Sequence, residues 1–139
     1  MIGYIQGRFD VVHYGHILAL DSARRYLGPS GQLIVGVATD AFCERWKGRP
    51  PLLGWHERAT VIRALRPVAL VIPYDGDPEP VHARLGFDVF FCSDELYDTY
   101  RDTFALRPWR TIYLPRTPGI SSSELKEPAA SHQRPEGSA

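Results

Sequence analysis

Residues 7–16 of the chain, Gly-Arg-Phe-Asp-Val-Val-His-Tyr-Gly-His, decide the fold. They follow a short apolar segment, Ile2 to Ile5, and they precede a run whose apolar residues recur at helical spacing. A glycine-bearing turn between a strand and a helix is typical of proteins in which strands and helices alternate. His13 and His16 lie three residues apart, so both imidazoles are expected to project from one face of the first helical turn.

The residues of this turn are compatible with three kinds of site. A helix start offers unpaired N–H groups and the positive end of the helix dipole, and with His13, His16 and Gly15 it can hold a phosphate. A metal site would need three or four ligands, and no third ligand follows at helical spacing. Two structural histidines are the remaining interpretation. The residues favour phosphate over metal and leave the structural interpretation open.

The rest of the chain continues the alternation of strands and helices. Apolar runs predict further strands at 33–37, 68–72, 89–92 and 111–114, and helical spacing predicts helices at 14–27 and 58–66, with a short helix and a basic loop between 40 and 54. The expected fold is therefore α/β, a doubly wound parallel sheet covered by helices on both faces in three layers. We expect a single domain over residues 1–127 and a disordered tail at 128–139, where the chain is polar and rich in proline.

The charge balance, the cysteines and the lengths of the apolar runs exclude several classes of protein. The 139-residue chain carries 16 basic and 16 acidic residues, a balance that argues against nonspecific binding to nucleic acid. Cys43 and Cys92 show no metal-type spacing and are expected to be reduced core thiols. The sequence contains neither a leader pattern nor an apolar run long enough to span a bilayer. We therefore expect a cytoplasmic protein that binds neither nucleic acid nor membrane.

Two motifs resemble those of the cytidylyltransferase-like nucleotidyltransferases. Residues 7–16 match the pattern G-x-F-D-x-x-H-x-G-H, and residues 116–123, Arg-Thr-Pro-Gly-Ile-Ser-Ser-Ser, match R-T-x-G-I-S-[ST]-[ST]. Arg116 lies 100 residues after His16, and both motifs occur in the order typical of the family. The resemblance is strongest to the small bacterial glycerol-3-phosphate cytidylyltransferases. It implies a Rossmann-like fold of the HxGH nucleotidyltransferase type and transfer of CMP from CTP to a small phosphate- or phosphonate-bearing acceptor, with release of pyrophosphate.

The resemblance also implies roles for individual residues. The expected catalytic residues are His13, His16, Lys47 and Arg116. The expected nucleotide-binding residues are Gly7, Arg8, Phe9, Asp10, Gly15, Asp94, Thr117, Gly119, Ile120, Ser121, Ser122 and Ser123. Arg58 and Arg66, expected on one helix face, are the candidates for binding the acceptor. The expected cofactor is Mg²⁺ bound through the nucleotide phosphates, with Asp10 as the one candidate side-chain ligand, and the expected assembly is a homodimer.

The acceptor side departs from the glycerol-3-phosphate pattern. The strand at 68–72 lacks the two acids usual there, and an acidic segment, Asp75 to Pro80, replaces a lysine-rich one. The acceptor therefore stays open among glycerol 3-phosphate, an amino-alcohol phosphate and a small phosphonate such as phosphonoformate. Two other functions stay open as well: an ATP-dependent adenylyltransferase acting on a sugar phosphate, and a nucleotide-binding module without catalysis.

Overall fold

The computed structural model describes residues 1–115, which form strands and helices in alternation. The strands are β1 (Ile2–Gly7), β2 (Gln32–Ala38), β3 (Leu70–Tyr74), β4 (Val89–Ser93) and β5 (Arg110–Leu114). The helices are α1 (Tyr14–Leu27), α2 (Asp40–Lys47), α3 (Trp55–Arg63), α4 (Glu79–Leu85) and α5 (Tyr97–Ala105), with a 3₁₀ turn at Asp94–Leu96 before α5. The predicted domain boundary at residue 127 and the predicted tail lie outside the described residues.

The strands form one parallel sheet in the order β3-β2-β1-β4-β5. The chain moves outward from β1 through β2 to β3, and then returns to the other side of β1 with β4. This reversal between β1 and β4 is the position where open α/β sheets hold their ligands, at the carboxyl ends of the strands. At this position the two neighbouring strands end with Gly7, the last residue of β1, and Ser93, the last residue of β4.

Helices cover both faces of the sheet, which confirms the predicted three-layer architecture. On one face α1 and α3 bury Leu20 and Ile62 against alternate residues of β2 and β4. On the opposite face α2, α4 and α5 bury Cys43, Val81 and Phe104. Each strand residue faces one core or the other because side chains alternate along a strand. The sheet is thus a rigid platform for the loops at its carboxyl edge.

The predicted elements between residues 55 and 74 are displaced from the observed ones. The expected helix at 58–66 runs from Trp55 to Arg63, since Gly54 begins it and Ala64 already ends it before Pro67. The expected strand at 68–72 runs from Leu70 to Tyr74. Arg58 therefore lies within α3 and Arg66 lies beyond it, so the two arginines do not share a helix face as expected.

Two helices of the fold were not expected from the sequence. Helix α4 follows directly on the acidic turn at 75–78, and Pro80 sits in its first turn, where a missing N–H costs no hydrogen bond. Helix α5 has a weak apolar pattern, and Phe104 is its one fully buried residue. No helix in residues 1–115 is both long enough and apolar enough to cross a bilayer.

Candidate active site

His13 is the N-cap of α1, and its ring satisfies part of the helix start. Its backbone is extended, with φ −135° and ψ 176°, and its Nδ1 accepts a hydrogen bond of 3.1 Å from the Gly15 N–H. The first N–H groups of a helix have no partner within the helix, and a side-chain acceptor at the N-cap supplies one. A neutral His13 with Nδ1 used as an acceptor carries its proton on Nε2. The ring can therefore present an Nε2–H donor to a ligand.

His16 completes a reciprocal capping box with His13. The Nδ1 of His16 accepts a hydrogen bond of 3.2 Å from the backbone N–H of His13, as the third helical residue does in such boxes. The two imidazole rings stack with centroids 4.0 Å apart. Both histidines thus use Nδ1 to hold the backbone.

Burial, reinforced by the neighbouring His13, lowers the pKa of His16 from 6.5 to about 4. His16 is therefore neutral at physiological pH, and its Nδ1 acceptor bond fixes the remaining proton on Nε2. A neutral imidazole with a defined tautomer donates one hydrogen bond in a fixed direction. This arrangement suits binding of phosphate oxygens better than binding of a metal, which requires an unprotonated ring nitrogen.

Phe9 explains why the turn before the histidines needs its glycine. Phe9 is the one non-glycine residue between 1 and 115 with a positive φ, 51°, and its buried ring meets the His16 ring edge-on at 5.3 Å. A Cβ at Gly7 would lie 3.0 Å from that ring. Gly7 is therefore required by the packing of Phe9, which in turn supports His16.

Asp10 holds the loop between α2 and α3. It is buried, and its two carboxylate oxygens accept hydrogen bonds of 2.9 Å from the Leu52 N–H and 3.0 Å from the Leu53 N–H. These bonds tie the histidine turn to the loop that follows Lys47. Because both oxygens already accept backbone N–H groups, Mg²⁺ would have to compete with these bonds. The geometry thus gives Asp10 the role of orienting the loop and gives no support to Mg²⁺ ligation.

Arg58 does not fit the expectation that it binds the acceptor. It is fully buried, and its Nε and Nη1 donate hydrogen bonds of 2.8 Å to the backbone oxygens of Leu53 and Arg8. Its Nη2 pairs with Asp40 Oδ1 at 2.6 Å. Every nitrogen of the guanidinium is therefore committed within the protein, and Arg58 is a positioning residue that joins the histidine turn to the loop at 52–53.

Three other predicted site residues belong to the described part of the chain, and each lies on a different element. Lys47 is exposed at the end of α2, and Gly48 in the left-handed conformation (φ 74°) turns the chain into the loop that Asp10 holds. Asp94 is exposed directly after β4, across the reversal point from Gly7. Arg66 lines a groove with Leu18 and Arg24 on the outer side of α1.

Several predicted residues lie outside the described residues. These are Arg116, Thr117, Gly119, Ile120, Ser121, Ser122 and Ser123. Strand β5 ends at Leu114, so the chain leaves the sheet at its carboxyl edge just before Arg116. Among residues 1–115, no three histidine, cysteine or acidic side chains lie together as a metal site would require.

The family comparison agrees with this geometry. The sequence matches the model of the Cytidylyltransferase-like family over residues 4–128. The chain belongs to this family. As a cytidylyltransferase-like protein it is a nucleotidyltransferase, and its HxGH turn lies at the start of α1, after the first strand of the sheet.

The relatives of this cytidylyltransferase-like chain carry several names. It is 36% identical to an FAD synthase of Korarchaeum cryptofilum over 87% of this chain and 86% of that protein. It is 32% identical to the glycerol-3-phosphate cytidylyltransferase of Staphylococcus aureus over 87% of this chain and 89% of that protein. In structure it resembles a lipopolysaccharide core biosynthesis protein of Thermoplasma volcanium, with a TM-score of 0.68, 21% identity, and coverage of 84% and 98% of the two chains. That last likeness supports the shared fold.

The sequence did not predict the hydrogen-bond network that joins the histidine turn to the loop at 52–53. Asp40 was not singled out, and the backbone groups of Leu52 and Leu53 carry no signal in the sequence. Arg58 did carry a signal, because it lies four residues before the apolar Ile62 and therefore on the same face of the predicted helix. A charged residue at an inward position indicates a buried ion pair or hydrogen-bond network.

Proposed function

We propose that this protein transfers CMP from CTP to a small acceptor that bears a phosphate or a phosphonate. The observation that supports this most directly is the pair of stacked histidines, whose Nδ1 atoms accept backbone N–H groups at the helix start and so fix the orientation of both rings. The pair lies at the N-terminus of α1, where anions are favoured.

In the proposed reaction an acceptor oxygen attacks the α-phosphorus of CTP in line with the leaving pyrophosphate. The new acceptor O–P bond forms as the bond from the α-phosphorus to the bridging oxygen breaks, and that oxygen leaves with the pyrophosphate. A phosphate or phosphonate oxygen is already ionised at neutral pH, so the step requires no strong base. The protein's contribution is therefore positioning and stabilisation of the growing negative charge.

His13 and His16 supply part of that stabilisation. Each Nε2–H donates to an oxygen of the α- or β-phosphate, and these bonds strengthen as charge accumulates in the transition state. Lys47 and Arg116 would add positive charge, and Ser121, Ser122 and Ser123 with Thr117 and Gly119 would hold the remaining phosphates. Mg²⁺, bound through the phosphates, would neutralise part of the triphosphate charge.

The acceptor is proposed from two observations. Relatives named glycerol-3-phosphate cytidylyltransferase and, in Arabidopsis thaliana, ethanolamine-phosphate cytidylyltransferase support a small phosphorylated compound. The acidic segment after β3 is partly neutralised within the protein, because Asp75 pairs with Arg45 and Asp77 with Arg107, each at 2.9 Å, and Arg107 also pairs with Glu79. These acids therefore do not repel an anionic acceptor strongly, and both glycerol 3-phosphate and a phosphonate such as phosphonoformate remain candidates.

A second candidate function follows from a different relative. The FAD synthase similarity supports an adenylyltransferase that uses ATP. A pyrophosphate-release assay with Mg²⁺, crossing CTP and ATP against small phosphates and phosphonates, separates the two. Turnover with CTP supports the cytidylyltransferase, and turnover with ATP alone supports the adenylyltransferase. No turnover with any pair would indicate a nucleotide-binding module without catalysis.

A further inference from the structure

Arg8 has a feature that the proposed reaction does not use. Its Nε is the one buried side-chain nitrogen or oxygen between residues 1 and 115 that lacks a hydrogen-bond partner. Arg8 follows β1 directly, at the carboxyl edge of the sheet and beside the histidine turn. Burying a donor without a partner costs free energy, and native proteins rarely do so without a functional or structural reason.

The nearest carboxylate does not satisfy this arginine. Arg8 Nη2 lies 3.9 Å from Asp10 Oδ2, which is beyond hydrogen-bond distance. That same Oδ2 accepts the Leu52 N–H, and Oδ1 accepts the Leu53 N–H. Asp10 thus attracts the charge of Arg8 without accepting its Nε–H. The Nε is buried, but 21% of the surface of the Arg8 side chain is exposed, so the side chain is partly accessible to solvent.

The position of Arg8 is defined by its neighbours. Arg58 holds its backbone oxygen with a 2.8 Å hydrogen bond. Burial and the neighbouring Cys43 raise the pKa of Tyr74, and the positive charges of Arg58 and Arg8 oppose that rise. The guanidinium of Arg8 therefore lies within electrostatic range of Tyr74, which ends β3.

We propose that Arg8, which the family resemblance assigns to the nucleotide, instead binds an anionic group of the acceptor, either a carboxylate or phosphate or phosphonate oxygens. The inference rests on the proposed function. Of the two arginines expected to bind the acceptor, Arg58 is committed within the protein and Arg66 lines a groove on the outer side of α1. His16 is neutral, so it offers a donor and no charge. A guanidinium binds planar anions through two parallel N–H groups, and Arg8 has one such donor unused.

The test compares the Arg8→Gln and Arg8→Lys variants with wild type. Arg84→Gln is the matched control, because Arg84 is exposed on α4 and forms no ion pair within residues 1–115. Binding of phosphonoformate, glycerol 3-phosphate and inorganic phosphate is measured by calorimetry without nucleotide. KM values for CTP and for each acceptor are then measured by pyrophosphate release.

Arg8→Gln should weaken binding of at least one of these anions by roughly tenfold or more, the scale of one lost charge-assisted hydrogen-bond pair. KM for CTP should change by less than about threefold, Arg8→Lys should be intermediate, and Arg84→Gln should match wild type. A loss confined to phosphonoformate would identify the carboxylate as the bound group, whereas an equal loss for all three would identify the phosphorus oxygens. Melting temperatures check that each variant is folded, and Arg8→Gln should not lower this temperature, since it removes an unpaired donor.

Two results would overturn the inference. One is unchanged anion binding in folded Arg8→Gln, or no binding of any of the three anions by wild type. The other is a KM for CTP that rises as much as that for the acceptor, which would assign Arg8 to the nucleotide. Failure of the proposed function is distinguishable, because anion binding that depends on Arg8 would persist in a protein that releases no pyrophosphate.

Discussion

At the scale of single residues, His13 and His16 each perform two tasks with two ring nitrogens. Nδ1 of each ring accepts a backbone N–H at the start of α1, and this fixes both the ring orientation and the tautomer. Nε2 of each ring is then directed as a donor. The same bonds that stabilise the helix start would preorganise the proposed phosphate site, so alanine at either position should lower both activity and stability.

Replacing His16 separates these two tasks. His16→Ala should lower kcat by about 100- to 1000-fold, the usual cost of losing one donor to the transition state. It should also lower the free energy of unfolding by about 1 kcal/mol, since the N-cap N–H loses its acceptor. His16→Gln is the matched variant, because glutamine at this position can reach back to the N-cap N–H. It should recover stability more than activity. A fully active His16→Ala enzyme would contradict the role of the imidazole.

The low pKa of His16 predicts a dependence of stability on pH. The folded pKa of about 4 lies below the unfolded value of 6.5, so unfolding takes up a proton between these pH values. The free energy of unfolding should therefore fall as pH drops from 6.5 toward 4, by roughly 3 kcal/mol from this group. Urea unfolding at pH 7 and pH 4.5 measures it, with His16→Gln as the control that does not titrate. Equal losses in both proteins would show that His16 is not buried in its neutral form.

At the scale of elements, the sequence predicts best where hydrophobic spacing and turn residues agree. Helix α1 was predicted with its observed ends because Gly28 follows a regular apolar stripe. Hydrophobic spacing with Pro67 as the terminating residue predicts helix α3 three residues too late at both ends. The helix already ends at Ala64. The acidic turn before α4 concealed a helix, since Pro78 and Pro80 are equally typical of loops. Local patterns thus located most elements and left their ends uncertain by two or three residues.

In the candidate site, too, some features were predictable from the sequence and others were not. The histidine pair was predictable because its spacing and its place after β1 determine its geometry. The interior role of Arg58 was not, because it depends on Leu53 and Arg8 offering backbone oxygens. The contact with Leu53 lies five residues away in sequence, and the contact with Arg8 spans 50 residues. No pattern within a single element records them.

The network around Arg58 predicts that a change in α3 disturbs the loop near the histidine turn. Arg58→Ala removes three hydrogen bonds and leaves Asp40 without its ion-pair partner. Asp40 is half-exposed and can be solvated, so the main cost comes from the two backbone oxygens that lose their donor, roughly 2–4 kcal/mol. Arg63→Ala, in the exposed last turn of the same helix, is the control and should cost less than about 1 kcal/mol. Urea unfolding measures both, and similar losses would contradict the positioning role.

At the scale of the whole molecule, the topology brings the separate parts of the site together. The alternation of strands and helices predicted a parallel sheet, but the order β3-β2-β1-β4-β5 depends on which strands pair and was not readable from composition or spacing. The order places Gly7 beside the end of β4, and β5 ends at the same edge of the sheet. Residues far apart in sequence can therefore act on one nucleotide. The homodimer stays a prediction. Light scattering would test it by comparing the mass of the particle in solution with the 15.7 kDa of one chain.

The most direct measurement follows the α-phosphorus of CTP. Wild-type protein is incubated with Mg²⁺, a small phosphate or phosphonate acceptor, and CTP labelled with ³²P at the α position. The account predicts that the label appears in a CMP–acceptor product while unlabelled pyrophosphate is released at an equal rate, and that His16→Ala slows both about 100- to 1000-fold. Label recovered only in CDP, or transfer from ATP but not from CTP, would contradict cytidylyl transfer by this protein.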